Sequence, residues 1–289
     1  MLMAPVCQPP TLAPVRSPVM LLATGLLTAS VLCVPTASSA VPAGCPTPKP
    51  GYVHRAPRAL GPTGAPTPEK TVALTFDDGP SRFTPRILAV LRRFGVRATF
   101  FETGLHVSEH PGLTRRVVAE GHLLGNHTWH HEYPENVKGG WSAAYLEHEL
   151  RSTGRLQRRL AGRATCFMRP PGGNKSPALL PTAHALGMSV VMWSVGTDDW
   201  DGPPQHSRSW VHTIVRNAAV GLQQRHPIVL LHDGKASHEP GSVVSSYRGN
   251  TVAALPRIIE MYQRAGYTFV GLDGLSGLPE PAPSGVATP

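Results

Sequence analysis

Residues 71–80 of the chain read TVALTFDDGP, a short apolar stretch that leads into two adjacent carboxylates. The apolar run predicts a strand over Thr71–Thr75. Neighbouring side chains at a strand end point in different directions, so one of Asp77 and Asp78 can bind a metal while the other faces a substrate. Taken alone, the segment is explained better as a turn with a capping Asp.

Outward from this segment, short apolar stretches alternate with amphipathic ones as far as residue 270. The predicted strands lie at 71–75, 97–101, 123–124, 166–168, 188–193, 228–231 and 267–270, and the predicted helices at 84–94, 113–120, 142–160, 177–186, 208–222 and 250–265. This alternation predicts a parallel sheet covered by helices. About seven short strands, with no glycine-rich nucleotide fingerprint after the first, favour a closed or distorted barrel over a Rossmann fold.

The second polar cluster is HTWHH at residues 127–131. His127 and His131 are four residues apart, so on a helical turn both imidazoles lie on one face, where they can bind one metal. With one carboxylate they form a His–His–Asp site with open positions for water and substrate. His130 lies between them and is expected to face another way.

Three further polar segments follow predicted strands. They are RPPGG at 169–173, DDW at 198–200 and LLHD at 230–233. The carboxyl ends of barrel strands are where active sites form, so these segments are expected to meet at one face. A His at such a strand end, His232, is a candidate general acid or base.

These five segments, in this order and spacing, resemble the five motifs of the NodB-homology polysaccharide deacetylases, carbohydrate esterase family four, over about residues 70–272. The resemblance implies a distorted (β/α) barrel and removal of acetyl groups from an N-acetylated sugar polymer. It also implies the following roles: Asp77 is the general base; Asp78, His127 and His131 bind the metal; Arg169 positions Asp77; the backbone N–H of Gly172 binds the oxyanion; Pro171, Trp200 and Leu230 line the substrate site; His232 is the general acid. Zinc suits two nitrogens and one oxygen best, and cobalt or nickel could substitute.

The sequence departs from the family pattern at two positions. Gly172 stands where the family usually has an aromatic residue, which removes a side-chain wall and keeps the backbone N–H. Gly196 stands where the family has an Asp that supports the catalytic His. We therefore expect His232 to lack its support unless Asp198, Asp201 or Asp233 supplies it. A catalytically impaired carbohydrate-binding protein is one alternative function.

The predicted substrate carries N-acetylglucosamine-type residues, as in peptidoglycan or chitin-like oligomers. An O-deacetylase acting on acetylated xylan is the alternative enzyme. The net charge of +9 is compatible with binding to an anionic cell wall and equally with solubility alone. The sequence contains no nucleic-acid-binding motif, and we predict no nucleic-acid partner and no stable protein partner.

Residues 1–40 resemble an export signal. Arg16 precedes an apolar stretch over 19–34, Pro35 ends it, and small residues follow at 38–40. An uncleaved membrane anchor is the alternative. We predict a secreted or cell-wall-associated protein with a Pro/Gly-rich linker over 41–70, a deacetylase domain over 71–272 and a flexible tail over 273–289.

The four cysteines divide between the predicted signal and the mature chain. Cys7 and Cys33 would leave with the signal, while Cys45 and Cys166 remain. An even pair in an exported protein predicts a Cys45–Cys166 disulfide.

Overall fold

The computed structural model describes residues 45–67 and 69–279. Within them, nine strands form one sheet. They are β1 Tyr52–Val53, β2 Lys70–Asp77, β3 Thr99–Glu102, β4 Leu123–Asn126, β5 Phe167–Met168, β6 Ser189–Val191, β7 Val195–Gly196, β8 Ile228–His232 and β9 Tyr267–Phe269.

All pairings between these strands are parallel. The strand order is β1-β6-β5-β4-β3-β2-β8-β7, with β9 also paired to β2. The predicted parallel sheet is confirmed. The two strands beyond the predicted seven, β1 and β7, have two residues each, too few for an apolar period to appear in the sequence.

Seven α-helices connect the strands in the described residues. They are α1 Thr84–Phe94, α2 Gly104–Glu109, α3 Pro111–Ala119, α4 Ala143–Ala161, α5 Leu179–Ala185, α6 Arg208–Ala218 and α7 Gly249–Arg264. The prediction for α1 matches at both ends, and the longer helices differ by a few residues at their ends. Helix α2 was missed because its six residues give less than two turns of pattern.

Strand β2 lies at the centre of the sheet, and every residue after Lys70 is buried. Its side chains alternate between two faces. Val72, Leu74 and Phe76 pack into the apolar core that the sheet shares with α1, α6 and α7. Thr75 and Asp77 therefore belong to the opposite face, and this places the first carboxylate inside the curled sheet. The strand runs through Asp77, two residues further than predicted.

The described part of the predicted linker packs onto the domain. Strand β1 pairs with β6, and Cys45 is joined to Cys166, as predicted for these two cysteines. Backbone pairing, the disulfide and the burial of Ala56 and Ala59 in an apolar cluster hold this segment.

The start of the predicted tail is also packed, since Asp273 lies 2.8 Å from Arg97 in an ion pair. Residues 280–289 and the predicted signal at 1–40 lie outside the described residues. Among residues 45–67 and 69–279, no helix has the length and apolar character needed to cross a membrane.

Candidate active site

The polar segments meet at the carboxyl ends of neighbouring strands. Asp77 ends β2 opposite His232, which ends β8. Asn126 ends β4 opposite Met168, so His127 and Arg169 follow adjacent strands. Because the strands are parallel, the residues that leave them gather at one edge, as in other barrels built from parallel strands.

Asp78, His127 and His131 form a buried cluster. One ligand atom from each lies within 4.8 Å of the others. The Nε2 atoms of His127 and His131 lie 3.4 and 3.2 Å from Asp78 Oδ1, yet this oxygen has no hydrogen-bond partner. A buried carboxylate oxygen without a partner is costly. The two imidazoles and the Asp78 carboxylate together form a donor set that suits zinc.

The imidazole of His127 has a fixed orientation. Its Nδ1 lies 2.7 Å from the carbonyl oxygen of Arg169, which can only accept a hydrogen bond. Nδ1 therefore carries the hydrogen, and the lone pair of Nε2 faces the cluster.

The electrostatic field of the cluster favours a cation. Burial opposes ionisation of Asp78, but His131, His127 and His232 outweigh it and hold the pKa of Asp78 well below its usual range. Burial lowers the pKa of His131 to about 3, against the opposite effect of Asp78. Burial also acts against the charge on His127, but Asp77 and Asp78 raise its pKa overall. The two carboxylates thus attract positive charge to the place where a metal would bind.

The sequence predicted a helical turn for the segment that carries the two histidines. The structure shows a loop instead. Thr128 and His131 have φ angles of 65° and 63°, in the left-handed region. Side chains accept hydrogen bonds from the backbone N–H groups of this loop, and these contacts could not be read from the spacing of the histidines. His130 points away from the cluster, to Glu149, as expected.

Arg169 fixes the first carboxylate. Its NH1 donates to Asp77 Oδ1 at 2.7 Å and to Thr75 Oγ1 at 2.9 Å. Its Nε and NH2 donate to the carbonyl oxygens of Val191 and Met192, and the side chain is fully buried. Asp77 Oδ2 lies 3.6 Å from His127 Nε2, at the edge of the cluster. One oxygen of Asp77 is thus held, and the other faces the cleft.

His232 has a buried carboxylate partner, Asp199. Its Nδ1 lies 2.7 Å from Asp199 Oδ1, and Asp199 Oδ2 accepts from the His232 backbone N–H and from Thr251 Oγ1. Burial alone would lower the pKa of His232, but Asp199 outweighs it and raises that pKa above its usual value. The expectation that His232 lacks support is therefore wrong.

A cleft of about 580 Å³ joins these groups. Its lining includes the cluster, Asp77, Gly172, Gly196, Trp200, Leu230 and His232. Pro171 was predicted to line it, but its neighbour Pro170 lines the cleft instead.

Known proteins resemble this chain in sequence and in fold. The polysaccharide deacetylase family model matches residues 64–191. A peptidoglycan-N-acetylglucosamine deacetylase from Bacillus cereus is 37% identical over 226 residues, which cover 75% of this chain and 96% of that relative. This chain belongs to the polysaccharide deacetylase family.

Two other matches agree with that membership. A chitooligosaccharide deacetylase from Sinorhizobium fredii is 37% identical over 223 residues, covering 76% of this chain and 96% of the relative. A crystal structure of a peptidoglycan N-acetylglucosamine deacetylase superposes with a TM-score of 0.63 at 31% identity, covering 78% of this chain and 92% of that one. The predicted family, barrel fold and hydrolase class are confirmed.

Three features of this polysaccharide deacetylase were missed by sequence reasoning. Asp199 was quoted within the DDW segment, but the family pattern directed attention to position 196. Tyr133 lies where a side chain at Gly172 would be, since a Cβ on Gly172 would stand 2.9 Å from Tyr133 Cε1. Glu149, on helix α4, accepts hydrogen bonds from the loop between His127 and His131. Of these three residues, only Asp199 belongs to a motif that could have been recognised in the sequence.

Proposed function

We propose that the protein is an exported, metal-dependent deacetylase of N-acetylglucosamine-type residues in peptidoglycan or chitin-like oligomers. One observation carries the proposal. A single cleft is lined by the Asp78–His127–His131 cluster, by Asp77 and by His232. Buried Arg169 holds Asp77, and buried Asp199 holds His232. These are the groups needed to hold a cation, accept a proton and donate one.

The residues divide the chemistry among them. A divalent metal held by Asp78, His127 and His131 would supply Lewis-acid polarisation of the acetyl carbonyl and make a water molecule more acidic. Asp77, held by Arg169, accepts the proton of the attacking water. The backbone N–H of Gly172, at the cleft wall, can donate to the oxygen that gains charge.

His232 completes the reaction. An amine leaves an amide only when it is protonated, and His232 can donate that proton while Asp199 stabilises the imidazolium. Water has then added to the acetyl carbon, the C–N bond has broken, and the products are acetate and a free amino sugar. The alternative of a catalytically impaired carbohydrate-binding protein rested on the missing carboxylate at Gly196. Because Asp199 supports His232, that argument no longer holds.

The proposed substrate class follows the names of the relatives, which act on peptidoglycan or chitooligosaccharides. Acetate release should be measured with metal-loaded protein on N-acetylglucosamine oligomers, peptidoglycan and acetylated xylan. We expect release from the first or second substrate. Release from xylan alone would favour the O-deacetylase, and release from none would reject the proposed function.

Export is supported by the signal-like sequence at 1–40 and by the Cys45–Cys166 disulfide, a bond typical of oxidising compartments. The N-terminus and location of the mature protein in cell fractions should be determined. We expect cleavage near residue 40 and protein in the medium or cell wall. Uncleaved protein in the membrane would instead favour an anchor.

A further inference from the structure

The loop between the two metal-site histidines is held in an unfavourable conformation. Thr128 and His131 both have positive φ angles, which residues other than glycine seldom adopt. Such a backbone persists only where the surrounding contacts fix it. The contacts that fix this loop therefore set the position of the His131 imidazole relative to His127.

Four consecutive backbone N–H groups in this loop donate to side chains. Thr128 N donates to Asn126 Oδ1 at 3.0 Å, and His131 N donates to Thr128 Oγ1 at 3.1 Å. The N–H groups of Trp129 and His130 both donate to Glu149 Oε2, at 2.9 and 2.8 Å. Asn126 directly precedes the loop and Thr128 lies within it, whereas Glu149 comes from a distant element, helix α4.

Glu149 is placed to act as a rigid anchor. Its side chain is 1% exposed, and its second oxygen, Oε1, lies 2.9 Å from Nδ1 of His130. Its neighbours Leu146 and Leu150 are fully buried, which fixes this part of α4 against the core. Hydrogen bonds to an ionised acceptor are stronger than neutral ones, so the carboxylate binds the loop tightly.

We infer that Glu149 is a positioning residue for the metal site, acting through the loop that carries His127 and His131. The inference rests on the proposed function in that the cluster binds a metal. Without the carboxylate, two N–H groups lose their acceptor and the loop can relax from its positive φ angles. The imidazoles then no longer converge before the metal arrives. Loss of such outer contacts typically weakens metal binding by about 10–100-fold.

The test measures metal affinity, not turnover. Metal-free native protein, Glu149→Met and Glu149→Gln would be titrated with zinc against a competing chelator, and cobalt spectra would report the ligand geometry. Met has a similar length but offers no oxygen, so we expect about 10–100-fold weaker binding. Gln keeps an acceptor for the two N–H groups, and its dissociation constant should stay within about threefold of native.

A matched control lies on the same helix. Glu147 is 51% exposed and pairs with Arg151 on the helix surface, so Glu147→Met should leave metal affinity unchanged. Thermal unfolding of each metal-free variant separates a general loss of structure from a local one. If Glu149→Met does not fold, Glu149→Asp replaces it, because the shorter carboxylate cannot reach both N–H groups.

The outcomes separate the inference from the proposed function. Native protein that binds no metal would reject the metal-dependent function itself. Native protein that binds metal, together with a folded Glu149→Met or Glu149→Asp variant of equal affinity, would overturn the inference alone. The inference would be supported by weaker metal binding in the Met variant, an unchanged melting curve of that variant without metal, and recovery of metal affinity in the Gln variant.

Discussion

Nδ1 of His232 lies 2.7 Å from Oδ1 of Asp199. Asp199 raises the pKa of His232, although burial alone would lower it. A general acid works only while it is protonated, so a raised pKa keeps His232 active to higher pH. Asp199→Asn removes the charge, and the pKa of His232 falls. We expect the alkaline limb of kcat/KM against pH to move to lower pH, with about 10²-fold lower activity at pH 8.

Gly196 provides the control for that prediction. It is exposed, and a Cβ there would meet only atoms at 3.8 Å, so an Asp can be accommodated. Since His232 already has its partner, Gly196→Asp should leave the alkaline limb in place and change kcat/KM by less than about twofold. A limb that moves upward in this variant would contradict the role given to Asp199.

Gly172 and Tyr133 share one space at the cleft wall. Gly172 has a φ of +59°, and its Cβ would lie 2.9 Å from a ring carbon of Tyr133. Gly172→Ala should therefore cost about 1–3 kcal/mol of stability from the strained backbone and the contact. In a double-mutant cycle, Tyr133→Ala should recover the part due to the contact, about 1 kcal/mol. Strictly additive unfolding free energies would show that the two side chains do not compete.

At the scale of elements, apolar period predicted the longer pieces and missed the short elements β1, β7 and α2. Helix α1 has eleven residues with Ile87, Leu88 and Leu91 buried on one face, and its predicted bounds are those of the structure. Strands β1 and β7 and the loop at 127–131 show no period. Their conformation comes from distant partners such as Glu149, which a local pattern cannot display.

The loop at 127–131 also carries a prediction of its own, because it presents two of the three proposed ligands. His127→Ala removes an imidazole whose tautomer is fixed by Arg169, leaving one nitrogen and one carboxylate for the metal. Two ligands hold a divalent ion poorly, so we expect metal content after dialysis to fall by about tenfold or more. His148→Ala, an exposed histidine on α4, should retain the metal. Full metal content in folded His127→Ala protein would reject the assignment.

At the scale of the whole molecule, the first described residues lie along the edge of the sheet, beside β6. Cys45 is bonded to Cys166, Lys49 N donates to Ser189 Oγ, and β1 extends the sheet beside β6. The disulfide could be predicted by counting cysteines in an exported chain. The strand pairing could not, because a Pro/Gly-rich segment next to a sheet edge has the same composition as a loose linker.

The disulfide should matter for stability more than for catalysis. It links residues separated by 121 positions, for which the chain-entropy model gives about 4–5 kcal/mol as an upper value. Cys166 precedes the strand that leads to Arg169, but Arg169 is held independently by Asp77, Thr75 and two carbonyl groups. Cys45→Ser should therefore lower the thermal midpoint by several degrees and leave kcat/KM at 25 °C within about threefold of native. Reduced native protein is the matched comparison, since it breaks the same bond without changing the sequence. If both lose activity while remaining folded, the N-terminal segment would be positioning Arg169 through β5, and the cross-link would belong to the catalytic apparatus.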